Sequence, residues 1–231
     1  MKRSELNRII AEAIAFVESN GLKFPPFAKW PVEQWSDLTE DSREIVDNML
    51  GWDVTDFGSG DFERCGLLIF TFRNGNFKDK VRYPKPYAEK LLLVEDGQEL
   101  PYHFHWSKME DIINRGGGNL IVQLYNSDEK EEFADTDVTV TIDGTKVTVP
   151  AGGHVILHPG ESITLCPGQY HRWVGEKGTG KVMLFEVSTT NDDMVDNRFY
   201  DAKQRIPDIE EDVKPEYLIF NDYKKYVPDK I

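Results

Sequence analysis

The sequence predicts a mainly β protein, an antiparallel barrel or jelly roll, with helices before the barrel and a mixed extension after it. Two observations carry this. From Gly66 onward the chain breaks into short β-rich runs: "LLIFTFR", "EKLLLVE", "NLIVQLYN", "DVTVTIDGTKVTV", "GHVILHP", "ESITLCP", "YHRWVG" and "KVMLFEVS". These are separated by Gly, Pro, Asn and Asp, and most have no helical period between them, the pattern of an all-β fold that closes on itself. Within them "VTVTIDGTKVTV" alternates strictly across an Asp-Gly pair. That is a hairpin signal, because both central residues of the tight turn need positive φ.

Taken in order, residues 5–19 place Leu6, Ile9, Ile10, Ala13, Ile14 and Val17 at helical spacing, with Ser4 as N-cap and Gly21 past the end. A second helix is expected over 40–50, stopped by Gly51. Between them "KFPPFAKWPVEQW" combines three prolines with Phe24, Phe27, Trp30 and Trp35, so it is neither regular helix nor central strand. Such a segment covers a hydrophobic surface or supplies an aromatic wall to a pocket. The strands follow, and after them "RFYDAKQRIPDIEEDVKPEYLIFNDYKKYV" is mixed and charged, suited to closing one face of a barrel. With no internal repeat or composition break, residues 1–231 read as one domain: a helical and aromatic segment over 1–60, the barrel over 61–190 and an extension over 191–231.

Hydrophobic residues make up 39% of the 231 and aromatics 12%, enough to build a core. The net charge of −14 argues against nucleic acid or an anionic membrane surface as partner. It also disfavours a phosphorylated substrate. Cys65 and Cys166 form no metal-type pair and read as buried structural thiols of a reducing compartment. The N-terminus has no signal-peptide pattern and no apolar run spans a bilayer, so a cytoplasmic location is expected.

The chemistry concentrates in "GQELPYHFHWSKMEDIINRGGG", residues 97–118. Side chains two apart on a strand share a face, so His103 and His105 project together, and Glu110 returns to the same point from the next strand. Imidazole and carboxylate together suit a divalent ion such as manganese, iron or zinc. On the His-x-His pair alone, two surface histidines near a hairpin remain the alternative.

Gly97, five residues, His103, one, His105, four, Glu110, six, Gly117: this spacing resembles the first signature motif of the cupin family. "GESITLCPGQYHRWVG" resembles the second, keeping Gly160, Gly168 and His171. It departs at Cys166, where proline is usual, and at Gly175, where asparagine is common. The long separation between the motifs suggests an added hairpin within 126–150. The resemblance implies a double-stranded β-helix barrel with His103, His105, Glu110 and His171 binding one metal in its mouth, two coordination positions being left open. His154 and His158 fall outside both motifs and read as structural.

A closer resemblance covers most of the chain. "PYAEKLLLVEDGQELPYHFHWSKMEDIINRGGGNLIVQLYN" and "DNRFYDAKQRIPDIEEDVKPEYLIFNDY" are similar to the D-lyxose isomerases, a family of cupin sugar isomerases. It implies interconversion of D-lyxose with D-xylulose and of D-mannose with D-fructose through a cis-enediol, a manganese cofactor (with zinc, iron or cobalt as other divalent choices) and a homodimer. A small-molecule sugar is then the partner. Such chemistry needs a group that shuttles a proton between adjacent carbons. Glu186, among the apolar residues of "VMLFEVS", suits a pocket-facing general base. Lys90, at the start of "KLLLV", is either a solvated strand end or a lysine aimed into the barrel for proton transfer or sugar binding. Asp201 and Arg205, four apart, would meet on one helix face as a surface ion pair or as sugar contacts. Trp30 or Phe27 would pack on the carbon face of the sugar. On this reading "HFHWSKME" supplies ligands only, and the proton-moving residue lies elsewhere. Two other functions share the ligand set: a cupin dioxygenase and a non-catalytic sugar-binding cupin. A phosphosugar isomerase would need a cationic cradle, for which only Arg73, Arg82, Lys85 and Lys90 are at hand.

Overall fold

The computed structural model describes residues 1–228. The chain opens with α1 (Arg3–Ser19), passes through a 3-10 turn at Pro26–Lys29, α2 (Val32–Trp35) and a 3-10 turn at Glu40–Ser42, and reaches α3 (Arg43–Asp47). Fourteen strands follow: β1 (Gly51–Thr55), β2 (Leu67–Arg73), β3 (Tyr87–Val94), β4 (Glu99–Phe104), β5 (Glu110–Gly117), β6 (Leu120–Ser127), β7 (Phe133–Ala134), β8 (Val138–Ile142), β9 (Thr145–Val149), β10 (His154–Leu157), β11 (Ser162–Leu165), β12 (Gln169–Gly175), β13 (Val182–Thr189) and β14 (Arg198–Phe199). A 3-10 turn at Phe220–Asp222 and α4 (Tyr223–Tyr226) end the described chain.

Two antiparallel sheets face each other in the expected jelly-roll arrangement. One has the order β1-β2-β3-β13-β5-β11-β8-β9, the other β10-β6-β12-β4-β14, with β7 beside β6. Strand alternation sends Leu92, Val94, Ile112, Val182 and Leu184 from the first sheet, and Leu100, Val122, Leu124 and Trp173 from the second, into a shared core. Nearly all are fully buried. The Asp143-Gly144 turn, with φ of 46° and 80°, joins β8 to β9 and forms the hairpin anticipated between the two motifs. Gly117 (φ 83°) closes β5 where any Cβ would collide with the Lys181 carbonyl at 2.0 Å.

A second core lies outside the barrel. The apolar stripe of α1 packs with Trp52, Val54, Phe70, Leu91 and Leu93 on the outer face of β1, β2 and β3. Burying each large side chain there contributes on the order of 1.5–3 kcal/mol. The proline-aromatic segment covers this surface: Phe24 meets Trp52 and Phe70 at 5.0 Å between ring centroids, and the Trp52 indole donates to the Ala28 carbonyl at 2.8 Å. Of the two roles open to that segment, covering is the one observed.

Three expectations are corrected. Ser4 does not cap α1, which begins at Arg3; its amide and hydroxyl both donate to Asp212, so the tail satisfies the helix end. The helix over 40–50 shrinks to α3, because the chain turns at Met49 (φ 54°) and Gly51 opens β1, a strand the sequence reading omitted. Cys65 is buried as expected but Cys166 is exposed; both are free thiols.

Candidate metal centre and adjoining cavity

The inner faces of the strands turn polar at one end of the barrel. On β13 the inward series Val182, Leu184 ends in Glu186 and Ser188; on β3 the series Val94, Leu92 ends in Lys90; on β5 Ile112 is followed outward by Glu110. Glu186 lies directly opposite Lys90, and Ser188 opposite Glu110. From the facing sheet His103 and His171 are cross-strand partners on β4 and β12. The polar groups thus meet because three strands of one sheet and two of the other change character at the same level.

The side-chain nitrogens of His103, His105 and His171 lie within 4.8 Å of one another, all buried. Each Nδ1 sits against a backbone carbonyl: His103 on Pro101 at 3.0 Å, His171 on Gln169 at 3.0 Å and His105 on Asp196 at 2.7 Å. A carbonyl only accepts, so Nδ1 carries the proton and Nε2 presents a lone pair. Burial, together with His171 and His105, holds the His103 imidazole well below its ordinary pKa and keeps it neutral. Glu110 Oε1 stands 3.2 Å from His171 Nε2 and 3.6 Å from His105 Nε2. These three atoms are buried and have no hydrogen-bond partner. Acceptors converging without a donor are satisfied by a cation, and three imidazoles with one carboxylate are a fitting donor set for a divalent transition metal. The tied Nδ1 atoms supply the orientation such ligands require.

Beside this cluster runs a line of charge. Lys108 Nζ lies 2.5 Å from Glu110 Oε2 and 3.1 Å from Glu186 Oε1. Lys90 Nζ lies 3.3 Å from Glu186 Oε1 and 2.8 Å from Asp193 Oδ2. The Ser188 hydroxyl also donates to Glu186 Oε1 at 2.9 Å. Burial alone would raise the Glu110 and Asp193 carboxyls; Lys108 beside the first and Lys90 beside the second hold both well below the usual carboxylate range. Burial works against the Lys108 ammonium, but Glu110, Glu186 and Asp193 outweigh it and raise its pKa. These groups line a cavity of about 370 Å³, counting the part that continues into solvent. Phe57, Leu67, Ile69, Trp173 and Phe199 form its apolar wall.

Of the residues singled out in the sequence, His103, His105, Glu110, Glu186, Lys90 and Arg205 line this cavity, while His171 stands behind it, joined to the cluster through its neighbours His103 and Glu110. Lys90 is no solvated strand end: it lies within β3 and is 2% exposed. Glu186 faces three donors as well as the apolar neighbours the sequence suggested. Arg205 pairs with Asp53 of β1. Asp201 is exposed and lies outside the cavity lining, and the segment 200–205 is not helical, so the helix-face pairing of Asp201 with Arg205 does not form. Trp30 and Phe27 are also outside the lining, each in an edge contact with the other at 6.2 Å; Phe27 stacks on Phe70 and Trp30 packs on Trp35. His154 and His158 stand apart from the metal cluster.

Sequence reasoning missed Lys108, Asp193, Asn197 and Phe199. Lys108 carried a usable signal: it precedes Glu110 by two residues, the spacing that had already placed His103 with His105. Asp193 and Asn197 sit in an irregular loop whose direction no periodicity reports.

Known proteins resemble this chain along its whole length. A family model described as D-lyxose isomerase matches residues 1–223. A D-lyxose/D-mannose isomerase of Serratia proteamaculans is 47% identical over 228 residues, 98% of this chain and 100% of that protein. One from Escherichia coli O157:H7 is 47% identical over 227 residues, with the same coverage. Among solved structures, L-ribose isomerase of Cellulomonas parahominis with L-ribose superposes with a TM-score of 0.59 at 16% identity, covering 91% of this chain and 98% of that one. At that identity the likeness concerns the fold.

Proposed function

This chain belongs to the D-lyxose isomerase family, and we propose that its histidine–glutamate cluster is the metal centre at which D-lyxose is interconverted with D-xylulose, and D-mannose with D-fructose. It is an aldose–ketose isomerase. The observation that carries the site assignment is the convergence of His105 Nε2, His171 Nε2 and Glu110 Oε1, buried and without a donor, at the edge of a cavity lined by two ammoniums and further carboxylates.

His103, His105, Glu110 and His171 would hold the ion, manganese by the family's habit, with zinc, iron and cobalt compatible with the same donors. A bound divalent metal supplies polarisation of the sugar carbonyl and a hold on the adjacent hydroxyl. The chain's own residues do the rest. Glu186 takes the proton from C2 of the open-chain sugar and returns it to C1, giving the cis-enediol between the two steps. Lys108 and Lys90 flank it and donate to O1 and O2 as negative charge develops there, and the Lys108 ammonium gives a proton to O1 and regains one from the O2 hydroxyl, which balances the exchange. Asp193, Asn197 and Arg205, on the tail side of the cavity, are the contacts for the remaining hydroxyls. Phe199 and Trp173 give the carbon skeleton an apolar face, the role the sequence reading had assigned to Trp30 or Phe27.

A phosphosugar has little support, because Arg73, Arg82 and Lys85 lie outside the cavity lining and pair with Glu89, Glu40 and Glu44. A homodimer is supported by the exposed Tyr87 of β3 and Val187 of β13 on neighbouring strands of the outer face, with the exposed Met109 just before β5, and light scattering tests it. Two free cysteines fit a reducing, cytoplasmic compartment. No helix among the described residues is long and apolar enough to cross a membrane.

Metal-stripped protein reloaded with manganese and given D-lyxose should form D-xylulose, and the unloaded protein should not. Absence of ketose from both lyxose and mannose with all four metals would overturn the reading. Oxygen uptake with an enolic substrate would favour a dioxygenase, and sugar binding without conversion a non-catalytic cupin.

A further inference from the structure

Two of the three buried histidines are oriented locally and one is not. His103 and His171 each donate to the carbonyl two residues earlier on their own strands. His105, just past the end of β4, has no such support; its Nδ1 donates to the carbonyl of Asp196, 91 residues away. The same Asp196 makes two further bonds. Its Oδ1 accepts from the Ser107 amide at 3.0 Å and its Oδ2 from the Lys108 amide at 3.0 Å. Asp196 is 5% exposed, so these bonds are shielded from water.

One residue of the 191–199 segment, irregular up to β14, therefore holds the turn 105–108 at three points. It fixes the ring of His105 with Nε2 toward the other imidazoles, and it fixes the backbone from which Lys108 reaches between Glu110 and Glu186. Neighbours on the same segment reach the other side of the cavity: Asp193 holds Lys90, and Phe199 stacks on His103 with centroids 5.4 Å apart. The carboxylate also suits its task electronically, because a charged acceptor on two backbone N–H groups makes stronger bonds than a neutral one.

We propose that Asp196 is a positioning residue that couples docking of the 191–199 segment to assembly of the metal centre: its carboxylate, held by the Ser107 and Lys108 amides, docks its own carbonyl against His105 Nδ1, which selects the tautomer that presents Nε2, and places Lys108 in register with Glu186. The Lys108 half of this rests on the isomerase reading; the His105 half stands without it. Asp196 touches no substrate and acts through His105 and Lys108.

The test compares Asp196→Asn and Asp196→Ala with Asp192→Ala. Asp192 Oδ1 caps the Met194 amide at 3.0 Å in the same segment and Oδ2 lies 3.8 Å from Lys78 Nζ, but the side chain makes no bond to residues 105–108, so this variant loosens the segment without touching that turn. Asparagine keeps the size of Asp196 but offers one carbonyl oxygen to two N–H groups, which makes it the variant most certain to fold. Calorimetric titration of stripped protein with manganese should show affinity weakened about 10–100-fold in both Asp196 variants. Nitrogen-15 imidazole shifts should show His105 leaving its single Nδ1-protonated form. With metal saturating, kcat on D-lyxose should fall about 100-fold through misplacement of Lys108, with a smaller change in KM. Wild-type metal affinity and an unchanged His105 tautomer in Asp196→Asn would overturn the proposal. So would an equal loss in Asp192→Ala, which would reduce Asp196 to a general support of the segment. Titration and spectra use no sugar, so failure of the wild type to turn over lyxose would sink the isomerase reading while leaving the His105 test intact.

Discussion

Replacing Glu186 by glutamine separates charge from shape at the centre of the cavity. In the native protein three carboxylates, Glu110, Glu186 and Asp193, face the ammoniums of Lys90 and Lys108. Glu186→Gln keeps the volume, and the amide oxygen still accepts from Ser188. Each lysine loses one anionic neighbour and keeps another, Asp193 for Lys90 and Glu110 for Lys108. Stripping a buried charge of all its partners costs about 3–5 kcal/mol. With one partner left to each lysine, the expected loss of stability is smaller, about 1–3 kcal/mol. Glu186 makes no contact with the histidines, so manganese content should stay near one ion per chain. Turnover should not survive: a missing general base costs about 10²–10⁴ in kcat. The assay is D-xylulose formation from D-lyxose on protein of measured metal content, with a denaturant melt in parallel. A variant that holds metal, melts as expected and turns over at the wild-type rate would refute the base assignment and move it to Glu110 or Lys108. A variant that loses metal would mean that the carboxylate line and the histidine cluster are one coupled unit.

The other predictions concern the frame. Arg3 is fully buried and bonds both oxygens of Asp222, at 2.9 and 2.8 Å, and both of Glu211 at 2.9 Å. Asp222→Asn should destabilise by about 3 kcal/mol, the low end for a broken buried pair because Glu211 remains; kcat should hold, since neither residue lines the cavity, and a shift below about 1 kcal/mol in denaturant would contradict the account. Tyr83 and Tyr170 are each pushed up to about 12, in both cases chiefly by burial. Tyr83 is raised further by the Asp47 carboxylate that its hydroxyl meets at 2.7 Å. An unfolded tyrosine titrates near 10. A raised folded value means that this part of the stability is whole below pH ~10 and is lost as pH rises through ~12. Phenolate absorbance should show a late-titrating class, smaller by one in Tyr83→Phe, and titration of every tyrosine near 10 in folded protein would rule this out.

Much of this protein is written in residue spacing. Strand alternation marked the 138–149 hairpin without knowledge of its neighbours, because side-chain direction repeats every two residues whatever the strand pairs with. The same rule marked His103 with His105, and the resemblance of the two motifs added Glu110 and His171. Local propensity was a poorer guide at the edges. The 40–50 helix gave way where the chain had to turn at Met49 to bring Asp53 of β1 to Arg205, and Ser4 lost its cap role to a contact with Asp212 in the tail. Lys108 carried a spacing signal, two residues before Glu110, yet the stretch "HFHWSKME" was read as supplying ligands only.

By itself, then, the sequence determined the barrel and the pairing of His103 with His105 on one face, which follow from short-range periodicity, while Glu110 and His171 came from the resemblance of the two motifs. Only the tertiary structure decided which charges share the cavity. Lys90 and Glu186 are 96 residues apart and meet because β3 pairs with β13. His105 and Asp196 meet because an aperiodic loop folds back over the mouth. Trp30 and Phe27, plausible sugar platforms by composition, were drawn instead into the outer aromatic core. Pairing of distant strands and docking of irregular loops depend on contacts whose partners lie far along the chain, and no local pattern encodes their registration.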